Sequence, residues 1–280
     1  MTIGHPLQGG RFFAAAAHRP HTGAMRSALL VLLSLFSLVH AAPMRLAFDA
    51  VEPWKRYDEQ GRASGAYVEI VRELARRTGT TVEVVNCPLK RCLMLLQQGE
   101  VDIAIGLHAT PEREKYLRFL ATPYRLHASD HVYYMRMGEA GRLRGASDLV
   151  GLAIGVKLGS EISDSLASRV GVKLEPVPDN RNNFAKLVAG RIDAVAIPED
   201  QGEYLLADLH LQGRLTKAPY REPNGSSRSV AVARRSPYAS QIEALDAAMA
   251  AMRADGTLQR IYQAQYYDHF GIGRDTIDIQ

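Results

Sequence analysis

The sequence predicts an α/β fold made of two similar units, and two observations carry that expectation. From Met44 onward the spacing of apolar residues switches between two and three to four, in the order strand, helix, strand, helix, strand. That order belongs to a mostly parallel sheet with helices on its faces. Residues 95–106 (L-L-Q-Q-G-E-V-D-I-A-I-G) and 187–198 (L-V-A-G-R-I-D-A-V-A-I-P) also repeat one design. Each has a helix end, a capping glycine (Gly99, Gly190), an apolar residue, an aspartate (Asp102, Asp193) and a small-residue strand.

The elements follow in order. Met44, Leu46 and Phe48 alternate as a strand, and 53–65, rich in charge and glycine, reads as loop. Tyr67, Ile70, Val71 and Leu74 lie at helical spacing up to Gly79. Val82 and Val84 open a second strand, 88–98 reads as helix, and 101–106 as a small apolar strand. The second unit starts with a strand over 152–156 and a helix near Ser160. A strand around Leu174 and a helix carrying Phe184, Leu187 and Val188 follow. A strand over 229–233 comes next, then a helix with Ile242, Leu245, Met249 and Met252 on one face, then a helix with Leu258, Ile261 and Tyr262. Each unit spans roughly 100 residues, enough for its own core.

Composition excludes several classes. At 280 residues, 46% hydrophobic and 23% charged, the chain is neither disordered nor fibrous, and two cysteines cannot scaffold it. The formal charge of +4 is misleading, because residues 1–41 hold three arginines (Arg11, Arg19, Arg26) and no acid. Of the 34 basic side chains, 31 remain against 30 acidic ones, a net of +1, which argues against a nucleic-acid partner. Met25 and Arg26 precede a short apolar run over 28–39, followed by His40, Ala41 and Ala42, the pattern of a secretory signal peptide over 25–41 with cleavage after Ala41. Residues 1–24 then have no evident role, and Met25 is the better start. The alternative, a retained anchor, has no basic stop-transfer cluster behind it. The mature protein is expected in the periplasm. No second apolar stretch nears the length of a membrane span, about 20 residues.

Five short segments in order carry a resemblance: Gly65 to Ile70 (G-A-Y-V-E-I), 95–102, Thr110 to Glu114 (T-P-E-R-E), Phe119 to Tyr124 (F-L-A-T-P-Y) and Asp255 to Leu258 (D-G-T-L). Together they resemble the family 3 extracellular solute-binding proteins, the periplasmic receptors of polar amino acid ABC importers. The resemblance implies a type II periplasmic-binding-protein-like fold, two α/β lobes with the ligand in the cleft between them and closure about a hinge. Carried over, lobe one is 44–129 plus 230–270 and lobe two is 130–229, with hinge crossings near 128–132 and 226–230.

The resemblance also names candidate ligand-binding residues. Arg113 stands where the family's arginine grips the ligand's carboxylate by paired hydrogen bonds; otherwise it is a surface arginine paired with Glu112 or Glu114. His108 lies at a strand exit and either meets an acidic group or is a partly buried structural histidine. Trp54, the single tryptophan, either walls the ligand or packs the core. Ser160 and Glu161 open a lobe-two helix where a hydroxyl and backbone N–H groups meet a carboxylate, although Ser160 also suits a plain cap and Glu161 departs from the usual threonine. The aspartate expected to bind an α-amino group falls on Pro198, with Glu199 and Asp200 next in line to replace it. Lys90 and Arg91 lie where relatives contribute to the cleft rim, with a solvated helix face as their other reading. Cys87 and Cys92 form a disulfide in an oxidising compartment only if Cys87 precedes the helix, because five residues within one helix are too far apart. Two thiols without further ligands make half a zinc site, so no metal is expected.

The leading expectation is therefore a monomeric binding protein that needs no cofactor and has no catalytic residues. It takes a small carboxylate-bearing solute and presents it to an ABC permease in the inner membrane. The runner-up is an enzyme of the same fold, similar to cyclohexadienyl dehydratases, whose catalytic glutamate falls on Gln201 here; Glu199, Asp200 or Glu203 could stand in for it after a small gap. A third reading is a ligand-sensing partner of a membrane receptor.

Overall fold

The computed structural model describes residues 42–279, and these form one compact unit. Residues 1–41 lie outside the described residues, and with them the predicted signal peptide and leader extension. No helix among the described residues is long and apolar enough to cross a membrane.

Two five-stranded sheets organise the chain. In the first, β1 (Met44–Phe48) lies one strand in from the edge. Before β4 (Val82–Asn86), its parallel neighbour on one side, come the short antiparallel pair β2 (Arg56–Tyr57) and β3 (Ala63–Ser64) and helix α1 (Ala66–Arg77). Helix α2 (Leu89–Gln98) leads to β5 (Ile103–Ala104) on the other side of β1, then come α3 (Pro111–Glu114) and β6 (Leu117–Phe119). The chain crosses to the second sheet through β7 (His131–Arg136). There it builds β8 (Ala153–Lys157), α4 (Glu161–Ala167), β9 (Lys173–Val177), α5 (Asn180–Val188), β10 (Ala194–Pro198), α6 (Glu199–Asp208) and β11 (Leu215–Glu222). It then returns: β12 (Ala231–Ala233) inserts antiparallel between β5 and β6, followed by α7 (Ile242–Ala254) and α8 (Thr257–Tyr262). The sheets with their helices are the two lobes referred to below. The crossing segments are bonded to each other, Arg125 N–H to the Arg228 carbonyl (3.3 Å), Arg228 N–H to the Arg125 carbonyl (2.9 Å) and Ala128 N–H to the Ser226 carbonyl (2.8 Å).

Both sheets are covered on both faces, so their central strands are apolar throughout rather than alternating. In β10, Val195 and Ile197 face one cluster while Ala194 and Ala196 face another, and β7 divides Val132 and Tyr134 from Tyr133 and Met135 in the same way. In the first sheet, Met44 and Leu46 lie opposite Ala47 and the α2 residues Leu95 and Leu96.

The repeated segment has a structural job that composition did not show. Gly99 takes a left-handed conformation (φ 80°) that lets Glu100 N–H reach back to the Leu95 carbonyl (2.9 Å), closing α2. Asp102 then grips β1 from both sides: its backbone N–H donates to the Arg45 carbonyl (2.8 Å) and its carboxylate accepts from Arg45 N–H (2.8 Å). Asp193 does the same to Ala153, at 2.8 Å for both bonds. The aspartates register the strand that follows each helix against a parallel neighbour, β5 against β1 and β10 against β8. Buried Asp102 also accepts from Ser236 Oγ (2.8 Å). Asp102→Ala leaves two buried donors unpaired and is expected to lower stability by about 2–3 kcal/mol in urea unfolding.

The predicted strand over 101–106 shrinks to Ile103–Ala104, because Asp102 spends its carboxylate on the neighbouring backbone and Gly106 turns the chain at φ 89°. The predicted loop over 53–65 holds the β2–β3 pair. Cys87 and Cys92 are joined in a disulfide. The bond forms because Cys87 precedes the helix: Pro88 is the cap (ψ 146°), and Cys92 N–H makes a first-turn bond to the Pro88 carbonyl.

Candidate functional site

The two crossing segments and the facing ends of the two sheets enclose a cavity of about 450 Å³, a size suited to a small molecule. Of the predicted residues, Trp54, His108, Arg113, Ser160 and Glu161 line it. Arg91 and Glu199 do not, and both assignments are corrected here. Arg91 sits on the exposed face of α2. Glu199 is buried in the second lobe, where its carboxylate accepts from Lys217 Nζ (2.7 Å) and Arg221 (3.2 Å), so it cannot stand in for a carboxylate at Pro198. Pro198 does line the cavity, as do Asp200 and Gln201.

Arg113 is placed by its own helix start. Thr110 caps α3 by accepting from Arg113 N–H (3.2 Å), and the guanidinium donates to the His108 carbonyl (2.9 Å). It makes no ion pair with Glu112 or Glu114, so the surface-pair alternative is not realised. His108, with Nε2 3.8 Å from a Glu161 carboxylate oxygen, bridges the lobes at the cavity. Burial, followed by the Arg228 charge, holds the His108 imidazole below its ordinary value of 6.5, against the pull of Glu161. Ser160 caps α4 by accepting from Ser163 N–H (3.3 Å).

Trp54 lines the cavity and is also packed into the core. Its ring stacks with Tyr67 (centroids 5.2 Å, 14° between planes) and with Tyr266 (5.0 Å, 14°), which fixes the indole in place. Gly65 (φ 104°) permits this packing: a Cβ there would lie 2.5 Å from the Trp54 carbonyl oxygen.

Of the charged floor, sequence reasoning named Asp200 and missed the basic residues. Lys55, beside Trp54, is buried and pairs with Asp49 while donating to the Ile105 carbonyl (3.3 Å). Burial pulls its ammonium below the ordinary lysine value, against the attraction of Asp49. Arg125 at the first crossing meets Asp200 at the start of α6 (2.6 Å), with both side chains almost fully buried. Arg125 also donates to Ser129 Oγ (2.6 Å) and lies 5.5 Å from the Trp54 ring centre. His131 is the cross-strand partner of Pro198 and faces the same space. Only their polarity beside an apolar strand end marked Lys55 and His131, and Arg125 sits one residue past the F-L-A-T-P-Y segment. No group of three or more His, Cys, Asp or Glu side chains among the described residues could hold a metal ion.

Comparison with known proteins agrees with this architecture. Residues 44–140 match the family described as bacterial extracellular solute-binding proteins, family 3. The L-cystine-binding protein TcyJ of Escherichia coli (strain K12) is 27% identical over 212 residues, covering 75% of this chain and 76% of that protein. Among solved structures, an ancestral arginine-binding protein bound to arginine superposes with a TM-score of 0.66 at 24% identity, over 81% of this chain and 99% of the other. The ancestral amino acid-binding protein AncCDT-1, a precursor of cyclohexadienyl dehydratase, superposes with a TM-score of 0.64 at 22% identity, over 80% and 95%. These two structures establish the type II periplasmic-binding-protein fold. The family match spans residues 44–140, and the similarity to the curated relative extends over three quarters of the chain, 75%.

Proposed function

We propose that this protein is a receptor that captures a small carboxylate-bearing polar solute between its lobes and presents it to an ABC permease in the inner membrane. The observation behind this reading is Arg113: a guanidinium at the cavity wall, oriented by the His108 carbonyl and free of any carboxylate among the described residues. The bonded crossing segments supply a hinge, and walls drawn from both lobes let one ligand contact both halves. The named relatives support it, since each is described as an amino acid-binding protein. Export through a signal peptide over 25–41 and action as a monomer complete the reading.

An enzymatic role has less support. Gln201 lines the cavity where the dehydratase resemblance calls for a glutamate, and an amide transfers no proton. Asp200 is held by Arg125, and neither Glu199 nor Glu203 lines the cavity. The test is to isolate the protein from the periplasm without denaturant, unfold it, and identify released small molecules by mass spectrometry. A bound carboxylate recovered unchanged supports the receptor. A solute converted on incubation, or no solute bound and none captured from a broad metabolite mixture, overturns it.

One consequence concerns protons. His108 faces Glu161, Arg113, Arg228 and His131, while His131 faces Glu161, Glu222, Asp200 and Arg228; burial is the first cause holding each imidazole below 6.5. An anion entering beside them raises both values, so protons are taken up on binding. Affinity should therefore rise as pH falls through the range near 6.5 and level off below the lowered free-state values. Calorimetry in buffers of different ionisation enthalpy measures the uptake, and a flat profile between pH 8 and 5 would count against an anion at this position.

A further inference from the structure

Counting charges at the cavity narrows the ligand further. Five cations and three carboxylates line it, but two of the carboxylates are already taken. Asp49 is paired with Lys55, and Asp200 gives one oxygen to Arg125 and the other to the Gln201 N–H (2.7 Å). Three cations are left over: Arg113, Lys157 and Arg228. None forms an ion pair among the described residues; Arg113 and Arg228 donate only to backbone carbonyls. Against them stands Glu161, about half exposed, whose nearest basic neighbour is His108.

The three cations come from three parts of the fold. Arg113 belongs to the first lobe, Lys157 ends β8 in the second, and Arg228 lies on the return crossing. With Glu161 as the only other free charge among the described residues lining the cavity, a single carboxylate leaves the three with a net positive charge. Like charges gathered around a partly dehydrated cavity repel, and the repulsion is relieved by a ligand carrying two negative groups. A ligand ammonium, by contrast, finds no free buried carboxylate. The end of β10 presents Pro198, whose cross-strand partner is His131, and neither accepts a charge-assisted bond from an ammonium as a carboxylate does.

Resting on the receptor reading above, we propose that the cavity selects a small dianion with two acid groups and no ammonium group, one acid on Arg113 and the other shared by Lys157 and Arg228. Such a ligand draws the lobes together through its own charge, because its two ends are held by different lobes.

Matched acids that differ only by an α-ammonium test this: succinate against aspartate, and glutarate against glutamate, titrated by Trp54 fluorescence and calorimetry with L-cystine and L-arginine alongside. A dicarboxylate is expected to bind at least roughly tenfold tighter than its amino counterpart. Lys157→Gln should weaken it by about the same factor, and Glu161→Gln should strengthen it a few-fold by removing a repelling carboxylate. If the amino acid member binds tighter, or if Glu161→Gln weakens binding, an ammonium is held at Glu161 and the dianion inference falls while the receptor reading stands. If neither series binds but the periplasmic protein carries an ammonium-bearing solute, the outcome is the same. Absence of any bound or captured solute overturns both.

Discussion

Replacing Arg125 with alanine is expected to lower the unfolding free energy by about 3–5 kcal/mol, the largest loss for any single polar side chain in this fold. The argument rests on what remains behind. Asp200 is almost fully buried with Arg125 at 2.6 Å as its ionic partner, and its own carbonyl is tied to Tyr266 OH (2.7 Å). Truncating the arginine leaves an almost fully buried carboxylate without a countercharge at the cavity wall, and removes a guanidinium 5.5 Å from the Trp54 ring centre. The pair itself is worth much less than this loss suggests, since ion pairing mostly repays desolvation. Arg125→Met combined with Asp200→Leu should therefore recover most of the stability. A double-mutant cycle in urea separates the two cases, and a coupling energy under about 1 kcal/mol would mean the pair is not the pivot described here. Its position gives the pair a second role. It joins the first crossing segment to the start of α6, so the single variants should also loosen the hinge and weaken ligand-driven closure.

This pair also marks what the sequence could not reveal. Asp102 and Asp193 stood out because a capping glycine, an aspartate and a short strand are local signals, and the two copies make matching bonds to their neighbouring strands. The disulfide was readable as a condition, that Cys87 precede the helix. Arg125 and Asp200 are 75 positions apart, and nothing near either one announces the other. The strand β11 was missed because it lies at a sheet edge, where L-T-K-A-P-Y-R-E mixes charge with a proline at a register shift and shows no clean alternation. Glu199 illustrates the opposite error. Adjacency to Pro198 suggested a role in the cavity, but as the first residue of α6 it turns its side chain to Lys217 and Arg221 on β11. Arg91 failed likewise, because its place on α2 is set by helix phase: Cys92, Leu95 and Leu96 face inward and Arg91 faces solvent. Trp54, His108, Arg113, Ser160 and Glu161 were readable from their local segments, whereas the Arg125–Asp200 pair joins distant positions that carry no shared local signal.

Arg113→Ala is expected to weaken ligand binding by at least roughly 100-fold while leaving the unfolding free energy within about 0.5 kcal/mol of the parent. Both halves follow from the same geometry. The side chain is partly exposed, forms no ion pair among the described residues, and makes one side-chain bond, to the His108 carbonyl, so its removal costs the fold little. A carboxylate docked on the free edge of the guanidinium gains two charge-assisted bonds in a cavity that closure dries, and that gain disappears with the side chain. Arg113→Lys separates charge from geometry. An ammonium restores the attraction but cannot form the parallel pair, so binding should return only partway. If lysine restores it fully, the site reads net charge alone and the orientation set by His108 is incidental. If alanine lowers stability by more than about 1 kcal/mol and leaves affinity unchanged, Arg113 is a strut for the His108 turn, and the carboxylate must be sought on Lys157 and Arg228 instead.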